Sequence, residues 1–190
     1  MKVTDNDAIL VKRIKQGDTM AFRMIVQKYK DVSLSLACSI LKDENDAEDA
    51  LQEAFLKVFK SIDKFRFDSL FSTWLYRVVV NTCLHAKEKQ KGKTNIAITH
   101  ASLDNVEQKS GHESALDSER RGYIVRALNE MKYEEALMLR LYYLCDLSIG
   151  DIVKITNFSE SNIKVILHRG RKNLYNILEK LTGNDLKSLL

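Results

Sequence analysis

Lys164, Arg169, Arg171 and Lys172 stand in a stretch with no acidic residue between Ser161 and Leu178. The chemistry such a set supports is non-covalent: cations along one helix neutralise successive phosphates and release their counter-ions. A solvated face normally mixes both signs, so this one points toward phosphate. A basic surface helix without a ligand is the competing reading. The acids are equally one-sided. Asp43, Glu44, Asp46, Glu48, Asp49 and Glu53 occur with no Lys or Arg between Asp43 and Leu56. Acids stabilise a helix start, but six exceed what that needs. The pattern fits a docking surface for a basic partner and a solvated acidic face equally well. Between the two, KFRFDSLFS sets Phe65, Phe67 and Phe71 beside Arg66 and Asp68, and Lys87, Lys89, Lys91 and Lys93 gather further on. Aromatic faces with cations nearby are what unstacked bases and their backbone require. The lysines also suit a helix C-terminus, and Trp74, the only tryptophan, is expected to pack at least partly in a core.

These residues need helices to position them. Leu147 to Leu181 reads as a short helix, a tight turn and a longer helix, the layout of a helix-turn-helix. Ser159 is the expected N-cap. Ile163, Leu167, Gly170, Leu174, Ile177, Leu178 and Leu181 make one apolar stripe, with Ser161, Lys164, Val165, His168 and Lys172 opposite. Ala47, Ala50, Leu51, Ala54, Phe55, Val58 and Ile62 keep helical spacing beneath the acids. Thr4 to Gln16 opens the chain as a helix, with Thr4 and Asp7 spaced like a capping box and Gly17 as a stop. A second helix starts near Asp18 and either continues or bends near Asp31. Helices are also expected around Tyr123–Met131 and from Tyr133 to Cys145.

Composition narrows the class. The chain has 190 residues, 45% hydrophobic and 29% charged, with a net charge of only +4, so nucleic-acid contacts must come from local patches. Proline is absent, where average usage gives about nine or ten. The expected fold is all-α: two small helical domains joined by a flexible linker, the C-terminal one carrying the helix-turn-helix. We place the first domain at residues 1–91, the linker at 92–117, the second domain at 118–183 and a tail at 184–190. Cys38, Cys83 and Cys145 read as reduced thiols, and His85, His100, His112 and His168 have no ligand spacing, so neither metal nor cofactor is expected. The N-terminus lacks the apolar core of a signal peptide and no apolar run would cross a bilayer, which favours a cytoplasmic protein. No phosphate loop, Ser/His/Asp set or nucleotide fingerprint occurs, so an enzyme has no constellation to support it.

The order DAEDALQEAFLKVF, FDSLFSTWLYRVVVNT, a linker and LSIGDIVKITNFSESNIKVILHRGRKNL resembles the bacterial RNA polymerase sigma factors, and among them the two-domain extracytoplasmic-function group. The resemblance implies a non-catalytic specificity subunit whose partners are core RNA polymerase, promoter DNA and an anti-sigma factor, often membrane-anchored, with no small-molecule substrate. It implies polymerase docking by Asp46, Glu48, Asp49, Gln52, Glu53 and Phe55. It implies melting and reading of the minus-ten element by Arg66, Asp68, Ser69, Phe71, Ser72, Thr73, Trp74, Arg77 and Asn81. The minus-thirty-five element would be bound as duplex by Ser159, Ser161, Asn162, Lys164, Val165, His168, Arg169, Arg171 and Lys172.

The recognition helix departs from the family's usual T-V-K-S-R-L-x-R-A-R. Val165 and Ile166 replace a polar-basic pair, so fewer phosphate or base contacts are expected, and Val165 could meet a thymine methyl instead. Gly170 in mid-helix costs about 1 kcal/mol relative to alanine. A dimeric helix-turn-helix repressor is the alternative class. It predicts a palindromic site and leaves the acidic helix and the Phe65–Trp74 segment without a role.

Overall fold

Helices begin where a side chain caps them. In the computed structural model, which describes residues 4–93 and 115–183, Asp18 accepts hydrogen bonds from the Met20 and Ala21 amides at 2.9 and 3.1 Å. Asp43 caps from Asp46 N (3.0 Å), Ser148 from Asp151 N (3.1 Å) and Ser159 from Asn162 N (3.3 Å). Each satisfies a backbone donor that the first helical turn leaves unpaired. The stops are equally local. Gly17 at φ +91° ends the first helix, and Lys42 and Asn157 close later ones in the left-handed region.

The elements are α1 (Thr4–Lys15), α2 (Thr19–Leu41), α3 (Glu44–Ser61), a 3₁₀ turn (Ile62–Lys64), α4 (Phe71–Lys93), α5 (Ala115–Glu130), α6 (Tyr133–Leu139), α7 (Ile149–Thr156) and α8 (Glu160–Thr182). A π turn, Arg140–Leu144, extends α6. The described residues contain no strand, and no described helix is long and apolar enough to cross a membrane. Of the two courses open near Asp31, α2 takes the continuous one and runs through without a break. Asp7 is buried, accepting from Tyr29 Oη and pairing with Lys28, and so ties α1 to α2.

α1–α4 form one helical unit around Ile25, Leu36, Ile40, Val58 and Leu75; α5–α8 form a second around Met138, Leu141, Ile152, Ile155, Ile163 and Leu167. The units are docked, with α7 against α4 and α6 against α2, and their buried residues join into one continuous core. Leu36 to Leu41 are all buried. Successive residues turn through about 100°, so six in a row cannot share a face. α2 is therefore wrapped by α3 and α4 within its own unit and by α6 of the other. Polar bonds cross the seam too. Lys42 Nζ donates to the Asn129 and Met131 carbonyls, both at 2.9 Å. Arg140 Nε donates to Ser35 Oγ at 2.8 Å, and Lys87 Nζ lies 3.5 Å from the Tyr133 ring centroid. Most of the expected linker, residues 94–114, and the tail from 184 lie outside the described residues.

Candidate nucleic-acid interface

On α3, alanines and Leu51 turn inward, which lifts Asp46, Glu48, Asp49, Gln52 and Glu53 into solvent. Lys57 pairs with Glu53 at 2.7 Å and holds its carboxyl below the usual range. Phe55, at 8% exposure, belongs to the core and supports the acidic face from beneath. Leu56 takes the outward place. It is 59% exposed, one helical turn from Gln52 and Glu53, a position that motif matching passes over because it is apolar.

The segment from Phe65 to Asn81 is a built structure, not a loose loop. Lys15 Nζ donates to the carbonyls of Asp63 (3.1 Å) and Phe65 (2.6 Å) and lies 5.3 Å from the Phe67 centroid, which pins the turn to α1. Phe65 meets Phe71 edge-on at 5.6 Å and Trp74 at 5.4 Å; Tyr29 meets Phe71 at 6.0 Å. Such pairs add about 0.5–1.5 kcal/mol each beyond their buried area. Phe71 and Thr73 are buried, so they shape the site from within, and Trp74 is half-buried as its lone occurrence suggested. Arg66, Asp68, Ser69, Arg77 and Asn81 are exposed, with Arg66 3.4 Å from Asp68 and Ser72 half-buried. Phe67 sits at φ +61° and is 42% exposed, held there by the Lys15 contacts. Behind Ser69–Ser72 opens a cavity of about 660 Å³, lined by Tyr29, Phe67, Phe71, Tyr76 and, from the second unit, Cys145–Leu147. Burial and the neighbouring Asp7 carboxylate push the Tyr29 phenol far above its ordinary range, so it stays a hydrogen-bond donor.

α8 presents Ser159, Ser161, Asn162, Lys164, Val165, His168, Arg169, Arg171 and Lys172 outward, Val165 at 60% exposure. Several are already engaged. Lys164 pairs with Glu160 at 2.6 Å. Arg169 reaches back to Glu135, which is buried and also accepts from Asn173 Nδ2 at 2.9 Å. Arg171 Nε donates to Tyr143 Oη at 2.8 Å, its guanidinium 5.9 Å from that ring. Lys172 and His168 carry no such partner among the described residues. Ile166 is core at 5% exposure, so only Val165 of the atypical pair alters the outer face. At Gly170 a Cβ would lie 3.4 Å from Leu139 Cγ and 3.5 Å from Glu135 Cβ, ordinary van der Waals contact, so the α6–α8 crossing does not itself require glycine there.

These surfaces match known proteins in the same order. Residues 25–93 match the family described as Sigma-70 region 2, and residues 121–174 match Sigma-70, region 4. The ECF RNA polymerase sigma factor SigW of Bacillus subtilis is 29% identical, over 90% of this chain and 96% of that protein. The ECF RNA polymerase sigma-E factor of Escherichia coli is also 29% identical, over 92% of this chain and 95% of that one. The sigma factor RpoE of Bartonella quintana, solved with the anti-sigma factor NepR, shares the fold with a TM-score of 0.65 and 19% identity, over 83% of this chain and 96% of that chain. With both regions present in sequence order, and relatives alike over nearly their whole length, the chain belongs to the extracytoplasmic-function group of the sigma-70 family.

Proposed function

We propose that the chain binds core RNA polymerase and directs promoter-specific initiation, without catalysis of its own, from the cytoplasm. α3 docks on the polymerase through Asp46, Glu48, Asp49, Gln52 and Glu53, with Leu56 adding an apolar contact and Phe55 supporting the face from the core. The segment Arg66–Asn81 melts and reads the minus-ten element: a base leaves the stack and enters the cavity behind Ser69–Ser72, while Arg66 and Arg77 hold the strand. α8 binds the minus-thirty-five element as duplex, with Ser161, Asn162 and Val165 near base edges and Lys164, Arg171 and Lys172 on phosphates.

One observation carries the reading. A single chain offers both a prebuilt aromatic cavity suited to unstacked bases and a helix-turn-helix whose outer face stands in solvent. A dimeric repressor needs only the second. An anti-sigma partner, of the kind that accompanies the Bartonella quintana protein, fits the same reading. The test is co-purification with core polymerase. The wild-type chain is expected to be retained and the Asp49→Lys/Glu53→Lys variant to be lost, both folded by circular dichroism. Equal retention of the two would contradict the docking role of α3.

A further inference from the structure

Among the described residues, the non-glycine residues with positive φ are Lys42, Phe67, Asp146 and Asn157. Lys42 and Asn157 end helices, and their backbone N–H groups donate to the carbonyls of Cys38 and Val153, the ordinary use of the left-handed region. Asp146 is of a residue type that tolerates that region. Phe67, at φ +61°, has neither reason: it closes no helix, and a bulky side chain there is strained. Strain of this kind persists where the surroundings impose it, and it gathers at binding sites. Here the surroundings include Lys15, whose Nζ donates to the Asp63 and Phe65 carbonyls at 3.1 and 2.6 Å and lies 5.3 Å from the Phe67 ring centroid.

Burial does not account for the conformation. Phe65 and Phe71 are core at 3% and 5% exposure, whereas Phe67 keeps 42% of its surface in solvent while packing 4.9 Å, centroid to centroid, from Phe65. Phe67 also lines the cavity of about 660 Å³ behind Ser69–Ser72, as does the exposed Leu70, so its ring stands at the cavity's mouth. A single exposed ring needs no explanation. One held on a strained backbone at the mouth of a cavity does. Arg66, the preceding residue, is exposed and adds a cation for a phosphate nearby.

We propose that Phe67 stacks on an unpaired base of the separated strand at the mouth of this cavity. The proposal rests on the minus-ten reading of Arg66–Asn81 and assigns the stacking to one ring within it. A base that leaves a duplex deprives its neighbour of a stacking partner, and a ring already fixed in place supplies one without first being ordered. Every base has a π face, so Phe67 adds affinity for the single strand and leaves discrimination among bases to the polar groups of the cavity.

The test uses the full chain with core RNA polymerase and a pool of random-sequence single-stranded DNA in which 5-iodouracil replaces thymine, with core polymerase alone as the control. On long-wavelength irradiation 5-iodouracil cross-links to an aromatic ring stacked on it. A cross-link at Phe67, located by peptide mass spectrometry, is expected. Phe67→Leu keeps the bulk and loses the π face. It should weaken single-strand binding by about fivefold or more while leaving the unfolding midpoint of the chain unchanged, and Phe67→Gly should weaken binding at least as much. Cross-links confined to other residues of Arg66–Asn81, or undiminished binding by Phe67→Leu, would overturn the role of Phe67 and leave the minus-ten reading standing. Single-strand binding no greater than that of core polymerase alone would overturn both.

Discussion

Phe65, Phe71 and Trp74 hold their rings against one another on the first unit, whereas Ser161, Asn162, Lys164, Val165, His168 and Lys172 on α8 stand in solvent. The contrast follows from what each is proposed to read. A melted strand is soft, and its bases need a cavity that exists before they arrive, so the reader is partly core. A duplex is stiff and presents its own groove, so an exposed helix face suffices. Substitutions in the first region should therefore change stability and function together, and those in the second should separate them.

The largest effect that would break this contrast is Phe65→Ala. Removing a 3%-exposed ring should cost about 3–5 kcal/mol in urea unfolding, with minus-ten binding lost alongside. A cost near zero would mean the rings are no scaffold. Next is Arg169→Ala, which removes the charge partner of buried Glu135 and should cost about 1–3 kcal/mol. The neighbouring Lys172→Ala should stay within about 0.5 kcal/mol of wild type and lower the salt dependence of duplex binding by about one unit of slope. Were the two variants alike, α8 would not divide into inward and outward cations as described.

A pH experiment sharpens the contrast at the seam. Burial, then the charges of Arg140 and Lys87, push Lys42 down to about 8, against about 10.4 for a free lysine. Folded chain then binds fewer protons than unfolded chain between those values, so this group makes stability rise with pH from about 8 to about 10.4. The thiols of Cys38, Cys83 and Cys145, pushed up to about 11, 12 and 12, act in the opposite sense above about 8.5. They are common to wild type and Lys42→Met, so the difference between the two stability curves isolates the lysine. A difference that stays flat across pH 8–10.4 would place Lys42 outside the seam. Smallest of all is Val165→Ala. It should leave stability within about 0.5 kcal/mol and change only discrimination at thymine-containing minus-thirty-five sites, checked by binding to duplexes with single base changes.

Local features were legible in the sequence. The Ala47–Val58 spacing, the Ser159 cap and the Gly17 stop each predict an element boundary or face that the structure contains. What could not be read depends on partners remote in the chain. Phe55 and Leu56 are neighbours, and only the packing of α3 on α2 and α4 decides which of them is inside. Ile166 joins the core because α8 packs against α6 and α7, contacts that no local pattern records. Arg169 turns inward because Glu135, thirty-four residues earlier, is buried beneath it. Arg140 gives no sign at all in one dimension: it stands partway along the helix expected from Tyr133 to Cys145, and its burial depends on α2 lying across the seam.

The central claim is that this chain confers promoter specificity on core polymerase, and in-vitro transcription on fragmented genomic DNA from the host tests it most directly. Core enzyme supplemented with the chain should yield discrete transcripts whose start sites share upstream elements at a fixed spacing, and Asp49→Lys/Glu53→Lys should abolish them. Transcripts identical to those of core enzyme alone would contradict the account.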